Sequence, residues 1–251
     1  MIDLTDQVVL ITGGSRGIGA ACARLFAQAG ADVGLVYQTR DKEAQAVRAD
    51  VEQLGRKALL LKGDVSEYAT AQEHVLLVVE FFGWVDVLVN NAGIWTYLET
   101  GTGDEAEWDR TIAVNLKSVF NYTEAVVPLM RQAGRGNIIH ISSTAGQRGE
   151  AFHSHYATTK GGIIAYTKSL AVELAPEIRV NSVAPGWVDT DMSDEVLSDP
   201  QQRAEVERGI PLKRVPTAED LAGPVLFLAS ELARHITGEI LNVNGGAVLC
   251  G

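Results

Sequence analysis

Short apolar runs alternate along this chain with longer segments in which apolar residues recur every three or four positions. The runs 8–11, 32–37, 58–61, 85–89, 137–141, 179–183 and 240–243 read as strands, and the segments 18–29, 42–54, 69–82, 105–132, 155–174 and 218–229 between and after them read as helices. A strand that is apolar at odd and even positions alike is buried on both faces, which calls for a mostly parallel sheet with helices on either side. The pattern therefore predicts an α/β, doubly wound Rossmann fold with a seven-stranded, mainly parallel sheet. The chain has 251 residues, 46% of them apolar, and no repeat, low-complexity tract or linker-like stretch, so a single domain over 1–251 is expected. The rhythm breaks at 186–214, an insertion with room for a short helix near 194–208. Loops of that length are more often lids than accidents.

Lysine and arginine number 21 against 32 aspartates and glutamates, a formal net charge of −11. Nucleic-acid phosphates and anionic membranes call for basic surface, so the expected partners are small molecules and copies of the chain itself. Cys22 and Cys250 form neither a disulfide framework nor a metal-ligand spacing, and no metal is expected. The N-terminus is acidic where a signal peptide would be basic, and no apolar run approaches about 18 residues, so a cytoplasmic location is expected.

The first strand run leads directly into Thr12-Gly13-Gly14-Ser15-Arg16-Gly17-Ile18-Gly19. Glycines at 13, 17 and 19 permit a tight turn, close approach of a pyrophosphate to backbone N–H groups at a helix N-terminus, and packing of that helix on the strand. Further along, Tyr156 and Lys160 lie four residues apart, on one face of a predicted helix, and Ser143 follows the strand run 137–141. An ammonium near a phenol favours the phenolate, so Lys160 is expected to draw the pKa of Tyr156 down towards working pH, as proton exchange with an alkoxide requires.

These residues resemble the short-chain dehydrogenase/reductase family, whose glycine fingerprint is Thr-Gly-x-x-x-Gly-x-Gly. The likeness spans the chain through Asp64-Val65, Asn90-Asn91-Ala92-Gly93, Asn115, Ser143, Tyr156 with Lys160, Pro185-Gly186 and Thr190, and is nearest to 3-oxoacyl-acyl carrier protein reductases. It implies an enzyme that moves a hydride between a nicotinamide dinucleotide and a carbonyl or secondary alcohol, working as a homotetramer. By the resemblance, Tyr156 is the proton donor in reduction, and Lys160 tunes it while binding the nicotinamide ribose. Ser143 holds the substrate oxygen, and Asn115 supports a proton-carrying water chain. Gly13, Ser15, Arg16, Gly17, Ile18 and Gly19 are expected at the pyrophosphate. Asp64 and Val65 would flank the adenine, Asn91, Ala92 and Gly93 the adenosine ribose, and Pro185, Gly186, Val188 and Thr190 the nicotinamide.

Cofactor choice turns on the end of the second strand, Val36-Tyr37-Gln38-Thr39-Arg40. Members of the family that prefer NAD usually carry an aspartate there for the ribose 2′-hydroxyl. Here that carboxylate is missing, Tyr37 and Arg40 are expected to bind the cofactor, and Arg16 and Arg40 can give charge-assisted hydrogen bonds to a 2′-phosphate, so NADP(H) is expected over NAD(H). The alternative is that Arg40 and Asp41 merely open a solvated helix.

Trp95, Gln147, His153 and Trp187 are the candidate substrate contacts, with Ile94, Glu150, Phe152 and Met192 in the same loops; His155 is expected, with His153, to line the pocket and His140 to lie on a sheet face. Carrier-protein reductases tend to place a basic residue on the helix after Tyr-x-x-x-Lys, where this chain has Val172. An acyl carrier protein or CoA thioester thus stands beside a sugar, polyol or xenobiotic alcohol as possible substrate. A non-catalytic dinucleotide-binding regulator is the alternative of another class, but such proteins usually lack the Tyr or the Lys.

Overall fold

The computed structural model describes residues 2–250. The strands β1 (Val8–Thr12), β2 (Asp32–Tyr37), β3 (Ala58–Lys62), β4 (Val87–Asn90), β5 (Gly136–Ile141), β6 (Ile178–Pro185) and β7 (Ile240–Val243) form one sheet in the order β3-β2-β1-β4-β5-β6-β7. Each neighbouring pair is parallel, so the sheet is wholly rather than mainly parallel.

The two-residue period of a strand sends successive side chains to opposite cores. Val9 and Ile11 of β1 join Val33 and Leu35 beneath α1 (Gly17–Gln28), α2 (Asp41–Gln53) and α10 (Ala218–Ala229). Val8 and Leu10 face the other way, into a core closed by α3 (Tyr68–Phe82), α5 (Ser118–Ala133) and α7 (Ser154–Glu173). Apolar residues at both parities are the sequence trace of this double burial.

The predicted helix over 105–132 is interrupted. It runs as α4 (Glu105–Ile112), a π-helical turn Ala113–Lys117, and then α5. A short helix that the sequence pattern did not indicate, α6 (Thr144–Arg148), follows β5. The insertion after β6 folds as α8 (Asp194–Leu197) and α9 (Pro200–Gly209), the latter started by Asp199, whose carboxylate accepts from the Gln201 N–H at 2.8 Å. Leu197, Ile210 and Val215 pack there with Trp187 and Val206 as a small satellite core. Among the described residues no helix is long and apolar enough to cross a membrane.

Candidate active site

Strand order reverses between β1 and β4, and the loops at the carboxyl ends of the strands line a cleft of about 320 Å³. The glycine loop forms one wall. Gly13 adopts φ +67°, and a Cβ on Gly19 would fall 2.2 Å from the Gly13 carbonyl oxygen, so α1 can lie this close to its loop only with glycine at that position. No side chain caps the first N–H groups of α1, and its first turn carries no acidic residue. Such an end suits an anion, and the cradle fits the pyrophosphate of a dinucleotide. The residues expected at the cofactor all line the cleft except Gly19, which packs behind Gly13. Asn91 lies at the cleft wall, but its amide is committed: Nδ2 donates to the Thr12 and Gly13 carbonyls at 3.0 and 3.1 Å, tying the β4 loop to the glycine loop.

At the expected adenosine end, Arg16 and Arg40 reach the cleft, each in an exposed ion pair, with Asp191 at 2.8 Å and Glu43 at 3.2 Å. The nearest carboxylate after β2, Asp41, does not line the cleft. It accepts from Lys62 Nζ at 2.8 Å and the Tyr37 hydroxyl at 3.1 Å. Asp64 builds its own turn, accepting from the Ser66 N–H and O–H at 2.9 and 2.7 Å, while Gln38 donates to its second oxygen at 2.9 Å.

Tyr156 and Lys160 lie in the first turns of α7, both buried. Ser143 caps α6, its hydroxyl oxygen accepting from the Ala145 N–H at 3.1 Å, which leaves its O–H free to donate. Gly146 lets α6 lie against α7, since a Cβ there would fall 2.4 Å from the Lys160 carbonyl carbon. This contact brings Ser143 to Tyr156. Lys160 Nζ donates to the Ile141 carbonyl at 2.8 Å and sits 5.6 Å from the centre of the Tyr156 ring. Asn115, in the π-helical turn, does not line the cleft. It braces the loop after β4, with Oδ1 accepting from Ile94 N–H and Nδ2 donating to Ile94 O, both at 2.8 Å.

The electrostatics differ from the sequence expectation. Burial pushes the Tyr156 phenol up to about 12, opposed by a hydrogen bond from Ser143 and reinforced by the charge of Glu150. Burial likewise pulls Lys160 down to about 8. Each group is moved towards its neutral form, because desolvation is the largest cause for both.

Of the substrate candidates, Trp95 and Trp187 line the cleft, with Ile94, Glu150 and Met192. Gln147 does not: α6 turns it towards β7, where its amide donates to Asn242 Oδ1 at 2.7 Å. His153 lies behind Trp95, the rings stacked at 4.3 Å and 3° apart, and Phe152 stacks on Tyr97 away from the cleft. His155 is buried outside the cleft at 3.1 Å from the Thr96 hydroxyl, and His140 is buried on the sheet. Arg148 and Asp191 line the cleft without having been anticipated, and no local motif marks either. No group of His, Cys, Asp and Glu able to hold a metal occurs among the described residues.

Residues 13–248 match a family model described as Enoyl-(Acyl carrier protein) reductase. An L-rhamnose 1-dehydrogenase (NAD(P)(+)) from Sphingomonas sp. (strain SKA58) is 41% identical over 245 residues, covering 97% of this chain and 96% of that protein. A 3-oxoacyl-[acyl-carrier-protein] reductase from Staphylococcus epidermidis is 41% identical over 242 residues, covering 96% and 98%. The crystal structure of a short-chain dehydrogenase/reductase from Brucella melitensis, described as a glucose/ribitol dehydrogenase, superposes with a TM-score of 0.91 at 33% identity over 99% of both chains. Likeness that spans nearly the whole of each partner is kinship rather than a shared fold alone: the chain belongs to the short-chain dehydrogenase/reductase family of oxidoreductases.

Proposed function

We propose that the protein is an NADP(H)-dependent carbonyl reductase or secondary-alcohol dehydrogenase in which Tyr156 exchanges the proton. What carries this reading is a protonated phenol, a serine O–H beside it and a buried lysine at one cleft with the glycine cradle. The bound dinucleotide supplies or accepts the hydride. Negative charge that grows on a carbonyl oxygen is met by the O–H groups of Ser143 and Tyr156, and Tyr156 then gives its proton to that oxygen. Lys160, fixed on the Ile141 carbonyl, stabilises the phenolate left behind, and Asn115 holds the Ile94 main chain beside it.

The preference for NADP(H) rests on Arg16 and Arg40 and on the lack of a free carboxylate at the end of β2. Their ion pairs are exposed and weak, so a 2′-phosphate can replace the carboxylates. The test is turnover with NADPH against NADH. A clear preference for NADPH is expected, falling at least tenfold in the Arg16→Ala, Arg40→Ala double variant; equal use of the two cofactors by the unaltered protein overturns the assignment.

Two substrate classes suit this reaction, 3-oxoacyl thioesters and sugars or polyols, and relatives of both kinds are about equally similar. The carrier-protein reading has the weaker support, because Val172, uncharged where carrier-protein reductases tend to be basic, stands 83% exposed on α7 and offers an acidic partner no cation. The proposal includes a single domain, a cytoplasmic location and a homotetramer, the last supported by exposed apolar residues such as Trp108 on α4 and Phe120 on α5.

A further inference from the structure

Between α6 and α7 the chain places a carboxylate on the substrate side of the cleft, six residues before Tyr156. Glu150 Oε1 accepts from the Trp95 indole N–H at 3.3 Å and lies 3.9 Å from His153 Nδ1, a nitrogen already 3.0 Å from the Ala151 carbonyl oxygen. Among the described residues Oε2 has no hydrogen-bond partner and no lysine or arginine pairs with the carboxylate, although Arg148 lines the same cleft. The charge is felt at the reacting end, for it raises the pKa of the Tyr156 phenol. Beside it stands a rigid aromatic wall: Trp95 is backed by the parallel His153 ring and meets Trp187 edge-on at 5.7 Å and 79°.

We infer that Glu150 is a specificity-determining residue which accepts a hydrogen bond from a hydroxyl near the reacting carbon, and that the substrate is a polyhydroxylated alcohol or carbonyl of the aldose or polyol class. This rests on the proposed hydride-transfer reading with Tyr156 as proton donor. A 3-oxoacyl thioester offers only carbonyl oxygens near its reacting carbon. Placed against Glu150 it would set lone pairs against lone pairs and leave Oε2 desolvated without a donor. A polyol brings O–H donors to the free oxygen and presents C–H groups to the indoles. Sites built to hydrogen-bond a substrate hydroxyl discriminate strongly against analogues that lack it.

The test compares the unaltered protein with Glu150→Gln and Glu150→Leu. Oxidation of L-rhamnose, D-glucose, ribitol and an amino alcohol is measured with NADP⁺, and reduction of acetoacetyl-CoA with NADPH. NADPH fluorescence titration checks that each variant still binds cofactor. At least one sugar or polyol should exceed the thioester in kcat/KM by about 10²-fold, and Glu150→Leu should reduce that ratio by about 10²-fold, chiefly through KM, with Glu150→Gln in between. Preference for the thioester, or a ratio that Glu150→Leu leaves unmoved, overturns the inference. Preference for the amino alcohol with equal losses in both variants also overturns it, in favour of a cationic substrate. Failure of the parent reading has another signature: a small diketone such as diacetyl reduced as fast by Tyr156→Phe as by the unaltered protein.

Discussion

A phenol that keeps its proton to about pH 12 beside a lysine that loses its own near 8 is better prepared to give a proton than to take one. Reduction uses the form present at neutral pH, whereas oxidation must first remove a proton from Tyr156. Lys160 helps only while it is an ammonium, so its support is complete below its titration point and lost as pH rises through about 8. At saturating NADPH, kcat for reduction should be level at lower pH and fall by up to about tenfold per unit above that point. A profile level to about pH 10 would show that Lys160 stays charged. Tyr156→Phe should lower kcat by about 10²–10⁴-fold with little change in NADPH affinity, measured by absorbance and fluorescence. The residue types of this machinery were legible in sequence because the chemistry demands them. Their environment was not: the Glu150–Trp95 and Arg16–Asp191 contacts join residues 55 and 175 positions apart. Gln147 looked like a pocket residue because it falls in a loop expected beyond the carboxyl end of a strand, but the turn of α6 carries it to Asn242.

Strands and long helices could be read because burial leaves a pattern, a short unbroken apolar run in β1 and apolar residues every three to four positions in α3. The π-helical turn leaves none, since one widened turn of five residues hardly disturbs the apolar pattern from α4 into α5. Yet this turn holds Asn115, fully buried, and through it the main chain of Ile94 beside the cleft. Asn115→Ala would strip both the N–H and the C=O of Ile94 of their partners. A buried main-chain group left unsatisfied costs about 1–3 kcal/mol and Ile94 is only partly buried, so the variant should lose roughly 1–3 kcal/mol in all in urea unfolding, together with a drop in kcat as the loop loosens. A variant that unfolded with the same midpoint would mean that Ile94 finds other partners. The helices α8 and α9 were foreseen as one short helix only, because their packing depends on Trp187, Ile210 and Val215 meeting in a small core of their own.

For the molecule as a whole, the sheet separates two apolar cores, and His140 at the end of β5 is a titratable group sealed inside. Its side chain is fully buried, Nδ1 lies 3.2 Å from Asn90 Nδ2, the ring stacks 6.0 Å from Tyr166, and Nε2 has no partner. Burial first and the charge of Lys160 second hold its pKa down at about 3, against 6.5 for an unperturbed histidine. In the unfolded chain His140 therefore takes up a proton as pH falls through 6.5, while in the folded protein it stays neutral until about 3. Stability from this group is complete above 6.5 and is lost progressively down to the folded value. Between pH 6.5 and about pH 5 the loss should be on the order of 2 kcal/mol. His74 and His155 are also held below the ordinary histidine value by burial, so the slope of the unaltered protein alone would not isolate one residue. Comparison with His140→Gln does, because every other titrating group is common to both proteins. Urea unfolding at the two pH values should give the variant a pH dependence smaller by about that amount, whatever its absolute stability. Equal slopes would mean that His140 accepts a proton inside the folded sheet, and that the buried polar contacts of Asn90 and Tyr166 rearrange to receive it.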